Sequence, residues 1–525
     1  MKIIKTIPAN SCWSPHAVFS WLVILLPPAA YFYLVYSYSL NLPFADDFTL
    51  MSQAINIIQS ANFSEKLSIL FSQDGEHRLV FTRLSHILSY ALFGDINFKF
   101  LVIFGNTALV ALFFLFLKTI KVPHATLLSF IPISILLFQL QSWKNMIWAQ
   151  AALQHQYILV FTGLTFYFLG KYSNRSFYSA FFFAVVSVFT HGSGLATIFL
   201  GWVALLISKR YRQSAVWAIG AFILGLFYFK NFYTITNVFA GTQSLAGLKN
   251  LLMYFFSYLG SSISLNEMPV AVGFGVVLSF YLCFLTKDKY FERNLTVYIF
   301  MTHIFFHAAL VAIARSDLGL ENVFSPRYKI DSVVLVILVY ISLADRFSLT
   351  ADKFSKFVSI GILFAATSYY LTFNPGKDNL ETRSKSLTWM ANQWVNTNHG
   401  FFFRSGPPGV EDRVPNSILL KAIGGGFYEL PYEILGIPDS GYSSSVIPPE
   451  TCEMEKREAF KTKFSIIPIG PESRPYLIRL EGIIHHPISN QIDNNDTIHL
   501  ILKSKDGSYT IETHPQKYLH GSVFF

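Results

Sequence analysis

The chain has 525 residues, 52% of them hydrophobic and 17% aromatic, and only 14% charged, against about 25% in an average soluble protein. Mean hydropathy is +0.42 and the formal net charge is +9. This balance excludes an ordinary soluble globule. It also argues against a nucleic-acid binder, because the Lys and Arg residues fall in small groups between apolar runs rather than on one basic face.

The first apolar run has no small-residue cleavage site after a short core, so it reads as a retained helix rather than a signal peptide. Runs long enough to approach the ~30 Å of a hydrocarbon core recur along the chain. They lie near 17–38, 98–118, 125–141, 153–170, 176–190, 194–208, 214–230, 269–286, 294–313, 329–345 and 355–373. These predict eleven membrane helices, with the N-terminus cytoplasmic and the C-terminus extracytoplasmic.

Basic residues support that count by the positive-inside tendency. Each expected inner loop holds at least two, for example Lys2 and Lys5, Lys171 and Arg175, or Lys287, Lys289 and Arg293. The outer turns are poorer, with Lys144 alone in one and none in His191-Gly192-Ser193. The turn after the ninth helix breaks the pattern with Arg315, Arg327 and Lys329, so those cations need another explanation. The stretch Leu248–Leu265 is apolar enough to span, but counting it would invert the later loops. It reads instead as an amphipathic helix lying at the outer surface or dipping into it.

The first outer loop, about 41–97, is long, and Phe48–Ile58 and Arg83–Phe93 show helical spacing within it. From about 374 the apolar runs shorten and Pro, Gly, Asn and charged residues rise. Strand-like alternation follows at Tyr476–Ile484, Thr497–Lys503 and Tyr509–Thr513, with a turn at Lys505-Asp506-Gly507-Ser508. The organisation expected is an all-α polytopic membrane domain over 1–373 and a β-rich or α/β extracytoplasmic domain over 374–525. Cys12, Cys283 and Cys452 share no metal-like spacing and predict no disulfide.

Four groups of residues carry possible chemistry. Asp46-Asp47 follows the first helix, flanked by Phe44 and Phe48. The plain reading is a solvated pair, or Asp47 capping a helix that starts at Phe48. The functional reading is a carboxylate at headgroup level that deprotonates an acceptor hydroxyl or holds a divalent cation against a phosphate. Glu76-His77-Arg78, with Arg83 and His86 beyond, is either an exposed polar turn or an acceptor, a proton shuttle and a phosphate clamp. Arg315 and Arg327 suit an anionic lipid phosphate, or a salt bridge to Asp317 or Glu321. Trp143 to Gln150, with Trp148, Gln154, His155 and Gln156, and the His191–Gly194 turn suit sugar binding or plain interfacial packing. His303 and His307, four apart on one helix, read as buried polar packing ahead of a metal pair.

No predicted helix carries an Asp or Glu in its middle, where ion-coupled transporters and proton pumps place such groups. There is no Walker-type loop and no zinc spacing. Any chemistry is therefore expected at the outer face.

A short start, one helix, a long outer loop opening with an acidic pair and then many helices resembles the GT-C superfamily of integral-membrane glycosyltransferases. Within it the chain is most similar to bacterial Gtr-type glucosyltransferases that modify O-antigen, a lipopolysaccharide part. Phe44-Ala45-Asp46-Asp47-Phe48 and Glu76-His77-Arg78 carry the likeness, over roughly 1–373. The resemblance implies a polyprenyl-phosphate-linked sugar donor, a glycan acceptor and inversion at the anomeric carbon. It implies a first-loop aspartate, Asp46 or Asp47, as general base, in a bacterial inner membrane. Some GT-C enzymes use a further acid in a later outer loop, sometimes with a metal. The Trp143–Gln150 turn has none, which favours a mechanism without a metal or other cofactor. The rivals are a glycan polymerase or ligase using a diphosphate-linked donor, and a lipid or glycan transporter.

Overall fold

The computed structural model describes residues 15–121, 126–233, 244–347, 351–397, 413–431 and 434, and seven strand segments between 453 and 524. It divides into two compact units, Met1–Gly436 and Ile437–Phe525.

The first unit is helical. Helix α1 (Pro15–Tyr38) leads into a long loop holding α2 (Asp47–Gln59), α3 (Phe63–Leu70) and α4 (Val80–Phe93). Gly94 ends α4 with φ +80°, the left-handed conformation that closes a helix most cheaply with glycine. The Asn97 side chain then accepts the Phe100 N–H and caps α5 (Phe98–Thr119). Next come α6 (Ile131–Leu137), α7 (Trp143–Ile147), a π-helical turn at Ala152–Gln156, and α8 (Tyr157–Leu169). Helices α9 (Asn174–Val188), α10 (Gly194–Ile207), α11 (Tyr211–Tyr228), α12 (Leu245–Gly260) and α13 (Met268–Lys287) follow. The unit closes with α14 (Leu295–Arg315), α15 (Lys329–Phe347), α16 (Ala351–Thr397) and α17 (Arg413–Gly424).

Among the described residues six helical stretches are long and apolar enough to cross a membrane: Val18–Tyr38, Phe98–Thr119, Leu127–Ile147, Met268–Lys287, Leu295–Arg315 and Ala351–Asn392. Their outward faces are apolar. Phe19, Leu22 and Leu26 on α1, Phe280 on α13, and Ile360 and Leu363 on α16 are all more than 60% exposed. Water does not tolerate so much contiguous apolar surface, whereas lipid does. The protein is an integral-membrane protein.

Buried polar residues set the interior register. Asn106, in the middle of α5, accepts the Tyr31 hydroxyl at 2.6 Å and the Gln156 amide at 3.1 Å, and donates to the Asn145 carbonyl at 3.0 Å. One amide thus fixes α1, α7 and the π turn against α5. Helix α12 runs antiparallel along α13. A Cβ on Gly275 would lie 1.9 Å from the Phe256 carbonyl, and one on Gly260 would lie 2.1 Å from the Ala271 carbonyl. Backbones this close require glycine. The stretch expected as an amphipathic helix at the membrane surface packs closely along a neighbour.

Position 373/374 falls inside α16, which continues without a break to Thr397. Past it, Gly376 packs against Leu140, and residues as late as Tyr428 belong to the first unit. The composition changes at 374 because the helix leaves its apolar stretch, while its packing goes on.

In the second unit, β2 (Lys461–Ile469) pairs antiparallel with β3 (Leu477–His485), and β4 (Ile498–Ser504) with β5 (Gly507–Thr513). Short strands β1 (Glu453–Met454), β6 (Gln516–Lys517) and β7 (Val523–Phe524) complete the orders β1-β4-β5 and β2-β3-β7-β6. The turn at 505–506 lies outside the described residues.

Candidate functional site

Asp46 and Asp47 have opposite settings. Asp47 is 1% exposed. Its carboxylate accepts the Phe44 N–H at 3.1 Å and the Gln150 N–H at 2.9 Å. It does not cap α2 in the usual way; it ties the start of the loop to the turn after α7. Burial pushes its carboxyl up to about 8, against the pull of those two N–H groups.

Asp46 is exposed to solvent. Desolvation by the surrounding protein raises its carboxyl above the usual range and Asp74 adds to this, while Arg327 and Arg315 oppose. The charges of both arginines that broke the topology pattern therefore act on this acid. Among the described residues neither guanidinium has a carboxylate within 4 Å. The Arg327 guanidinium lies over the Trp148 ring at 5.6 Å and the Tyr328 ring at 4.9 Å, and donates to the Tyr328 hydroxyl at 3.0 Å. Its Nε is buried without a partner, as is the Trp148 indole N–H. Trp148 stands edge-on to Phe44, with ring centres 5.2 Å apart.

The Glu76-His77-Arg78 group splits. Asp74 and His77 exchange backbone hydrogen bonds across a tight turn in which Gly75 has φ +55°. Arg78 is buried and donates to the carbonyls of Tyr228, Lys230 and Phe71. The clamp expected for a phosphate instead holds backbone together, because the loop leaves three inward carbonyls that need donors. Arg83 does likewise, bonding the Leu70 and Ser72 carbonyls and the Gln53 side chain. His86 is fully buried and bonded to the Thr82 carbonyl, and burial lowers it to about 4. Glu76 stays beside His77, which it influences electrostatically.

His77 turns toward the His191 turn. Its ring lies 4.6 Å from that of His191, and the Gly192 N–H donates to its Nδ1 at 3.2 Å. The structure thus brings Asp46, His77, Trp148, His191, Arg315 and Arg327 into one region, and leaves Arg78 and Asp47 as its supports. Sequence reasoning missed Arg383, whose guanidinium sits 3.8 Å from the centre of the Phe44 ring. Its signal was hidden because it lies past 374, in residues read as another domain. It also underrated His155 and His307, which join His191 here.

Comparison with family models, with curated proteins and with solved structures returns no match to this chain. Fold and site define the class directly: a polytopic helical membrane protein in which one accessible carboxyl, aromatic rings and two arginines without acid partners among the described residues belong to one region.

Proposed function

We propose that the protein is a membrane glycosyltransferase of GT-C type. It moves a sugar from a polyprenyl-phosphate donor to a glycan or lipid-linked acceptor, with inversion, at the extracytoplasmic face of a bacterial inner membrane. In this reading all eleven apolar runs cross the bilayer, the N-terminus is cytoplasmic, and the strand-bearing tail is extracytoplasmic and meets the acceptor.

The observation that carries the reading is an accessible acid, Asp46, on which the charges of Arg327 and Arg315 act, next to Asp47, which is tied to the Gln150 N–H close to Trp148 and Arg327. Transfer needs a base for the acceptor hydroxyl and cations for the departing phosphate. The acceptor oxygen attacks the anomeric carbon as its proton passes to Asp46. The carbon–oxygen bond to phosphate breaks, and its electron pair leaves with the phosphate, which gains one negative charge beside the arginines. Of the two adjacent acids Asp46 is the base, since both Asp47 oxygens are engaged with backbone N–H groups.

The test is transfer of labelled glucose from polyprenyl-phosphate glucose by the purified full chain. Asp46→Asn is expected to lower the rate by about 10²-fold or more, as loss of a general base does. A wild-type rate in that variant overturns the assignment.

A further inference from the structure

Helices α2 and α4 share the loop between α1 and α5, yet they turn opposite faces to their surroundings. Helix α2 has the pattern of a helix on a water-facing surface. Besides Asp47 it buries Phe48, Leu50, Met51, Ala54, Ile55 and Ile57, and its exposed residues are Thr49, Asn56 and Gln59. Helix α4 is inverted. Besides Val80 it buries Thr82, Arg83, Ser85, His86 and Ser89. Its exposed residues are Leu84, Leu88, Ala91, Leu92 and Phe93, every one apolar.

The inward polar groups of α4 hold the loop together. Arg83 donates to the Leu70 and Ser72 carbonyls and, at 2.7 Å, to Gln53 of α2. The Ser89 hydroxyl accepts the Asn97 N–H at 2.8 Å, ahead of α5. No Ser, Thr, Arg or His of this helix is left on the outside to meet water. Hydrocarbon selects that distribution, because it cannot solvate Arg or His and does not penalise Leu or Phe.

The apolar face runs on into the transmembrane part of the fold. Phe93 meets Phe100 of α5 with ring centres 5.0 Å apart, and Phe100 stacks with Phe104 at 5.8 Å. Near the other end of α4, Phe81 lies 5.2 Å from Phe161 of α8. Helix α5 is itself long and apolar enough to cross a membrane. Helix α4 is not: its 14 residues rise about 21 Å, against the ~30 Å of a hydrocarbon core.

We propose that α4 lies embedded in the hydrocarbon edge of one leaflet, with Leu84, Leu88 and Leu92 against acyl chains, while α2 rides over it in water. An amphipathic helix sinks its apolar face about 5–10 Å, and packed helices lie about 8–10 Å apart. Helix α2 packs on the buried side of α4, so it sits near headgroup level. Asp46, the residue before α2, is held at that height. This placement needs only the faces of the two helices and is independent of sugar transfer.

The experiment uses the full chain in nanodiscs of phosphatidylethanolamine and phosphatidylglycerol, with Cys12→Ser, Cys283→Ser and Cys452→Ser. Nitroxide labels are placed singly at Leu88→Cys and Leu92→Cys on α4, at Thr49→Cys and Gln59→Cys on α2, and at Phe114→Cys on α5 as the lipid reference. Power saturation with oxygen and with a water-soluble nickel chelate reads their depth. The α4 labels are expected about 5–10 Å below the phosphates, favouring oxygen as at Phe114. The α2 labels are expected to favour the chelate. A second measurement needs no variant: a phosphatidylcholine with a diazirine in its acyl chain is photolysed with the unaltered chain. Its carbene is expected to label residues 84–93 and to spare 47–59. Chelate access at Leu88 and Leu92 equal to that at Gln59 overturns the proposal. Exclusion of both reagents there also overturns it, since protein then covers the face. Carbene labelling of 98–119 that leaves 84–93 bare does the same.

Discussion

The Asp47 carboxylate accepts a hydrogen bond from the Gln150 backbone N–H at 2.9 Å, across 103 positions of sequence. One buried acid thereby ties the start of the first loop, next to Asp46, to the segment that follows Trp148. Asp47→Ala strands the N–H groups of Phe44 and Gln150. Each buried N–H left without a partner costs about 1–3 kcal/mol. The variant is expected to show a clear drop in its thermal unfolding midpoint. Asp46→Asn should unfold within about 0.5 kcal/mol of wild type, since its side chain makes no such tie. Equal destabilisation by both would contradict the division of labour.

Asp47 also sets a pH dependence. Its value in the fold, about 8, lies above its ordinary value of 3.8, so folding favours the protonated group. Its contribution is complete below the ordinary value and is lost as pH rises through about 8. Unfolding midpoints measured from about pH 5 to about pH 9 should fall less steeply in Asp47→Asn than in wild type. Parallel curves would show that the acid does not titrate in that window.

The arginines are expected to separate by assay. Arg78→Met removes the donor to three backbone carbonyls and should lower stability, with proteolysis appearing first in the 60–80 loop. Arg327→Ala should leave the unfolding midpoint near wild type and reduce sugar transfer by about 10²-fold, the scale of a lost transition-state donor. Limited proteolysis and transfer rates on the same preparations decide it. A stable, inactive Arg78→Met would reverse the assignment.

Gly275 tests the hairpin of α12 and α13. A side chain there meets the Phe256 carbonyl, so the helices must part. Gly275→Leu is expected to destabilise by at least about 1–3 kcal/mol, as overpacking does. Gly273→Leu, with nothing within 4 Å of its Cβ, serves as the neutral comparison. Matching midpoints would show that the contact is not tight.

Hydropathy made the apolar helices legible, and the misplaced charges of Arg315 and Arg327 pointed at the region of Asp46. Both signals are local: a run of apolar residues, or a cation on the wrong side of one. What stayed hidden depends on pairs far apart in the chain. Nothing near Arg78 shows that its partners are the carbonyls of Tyr228 and Lys230. Nothing near His77, His155 or His307 shows that they share His191. Asp46 and Asp47 look alike in sequence because adjacent residues on a helix start point to different surroundings, and only packing tells them apart. Arg383 is hidden for a different reason, since the composition shifts at 374 while α16 continues unbroken to Thr397.

The first loop is held from far downstream. The Ile96 N–H donates to the Phe427 carbonyl at 2.8 Å, and the Tyr428 hydroxyl donates to the Asn41 carbonyl at 2.6 Å, a span of 387 residues. Lys421 adds a bond to Asn56 on α2. During synthesis Asp46 therefore leaves the ribosome long before the residues that clasp its loop exist. At about 5–20 residues per second, the loop waits tens of seconds for its clasp. The first loop is among the earliest parts of the chain to be made and among the last to be clasped, so a chain truncated before Arg413 keeps the acid but not the clasp on its loop.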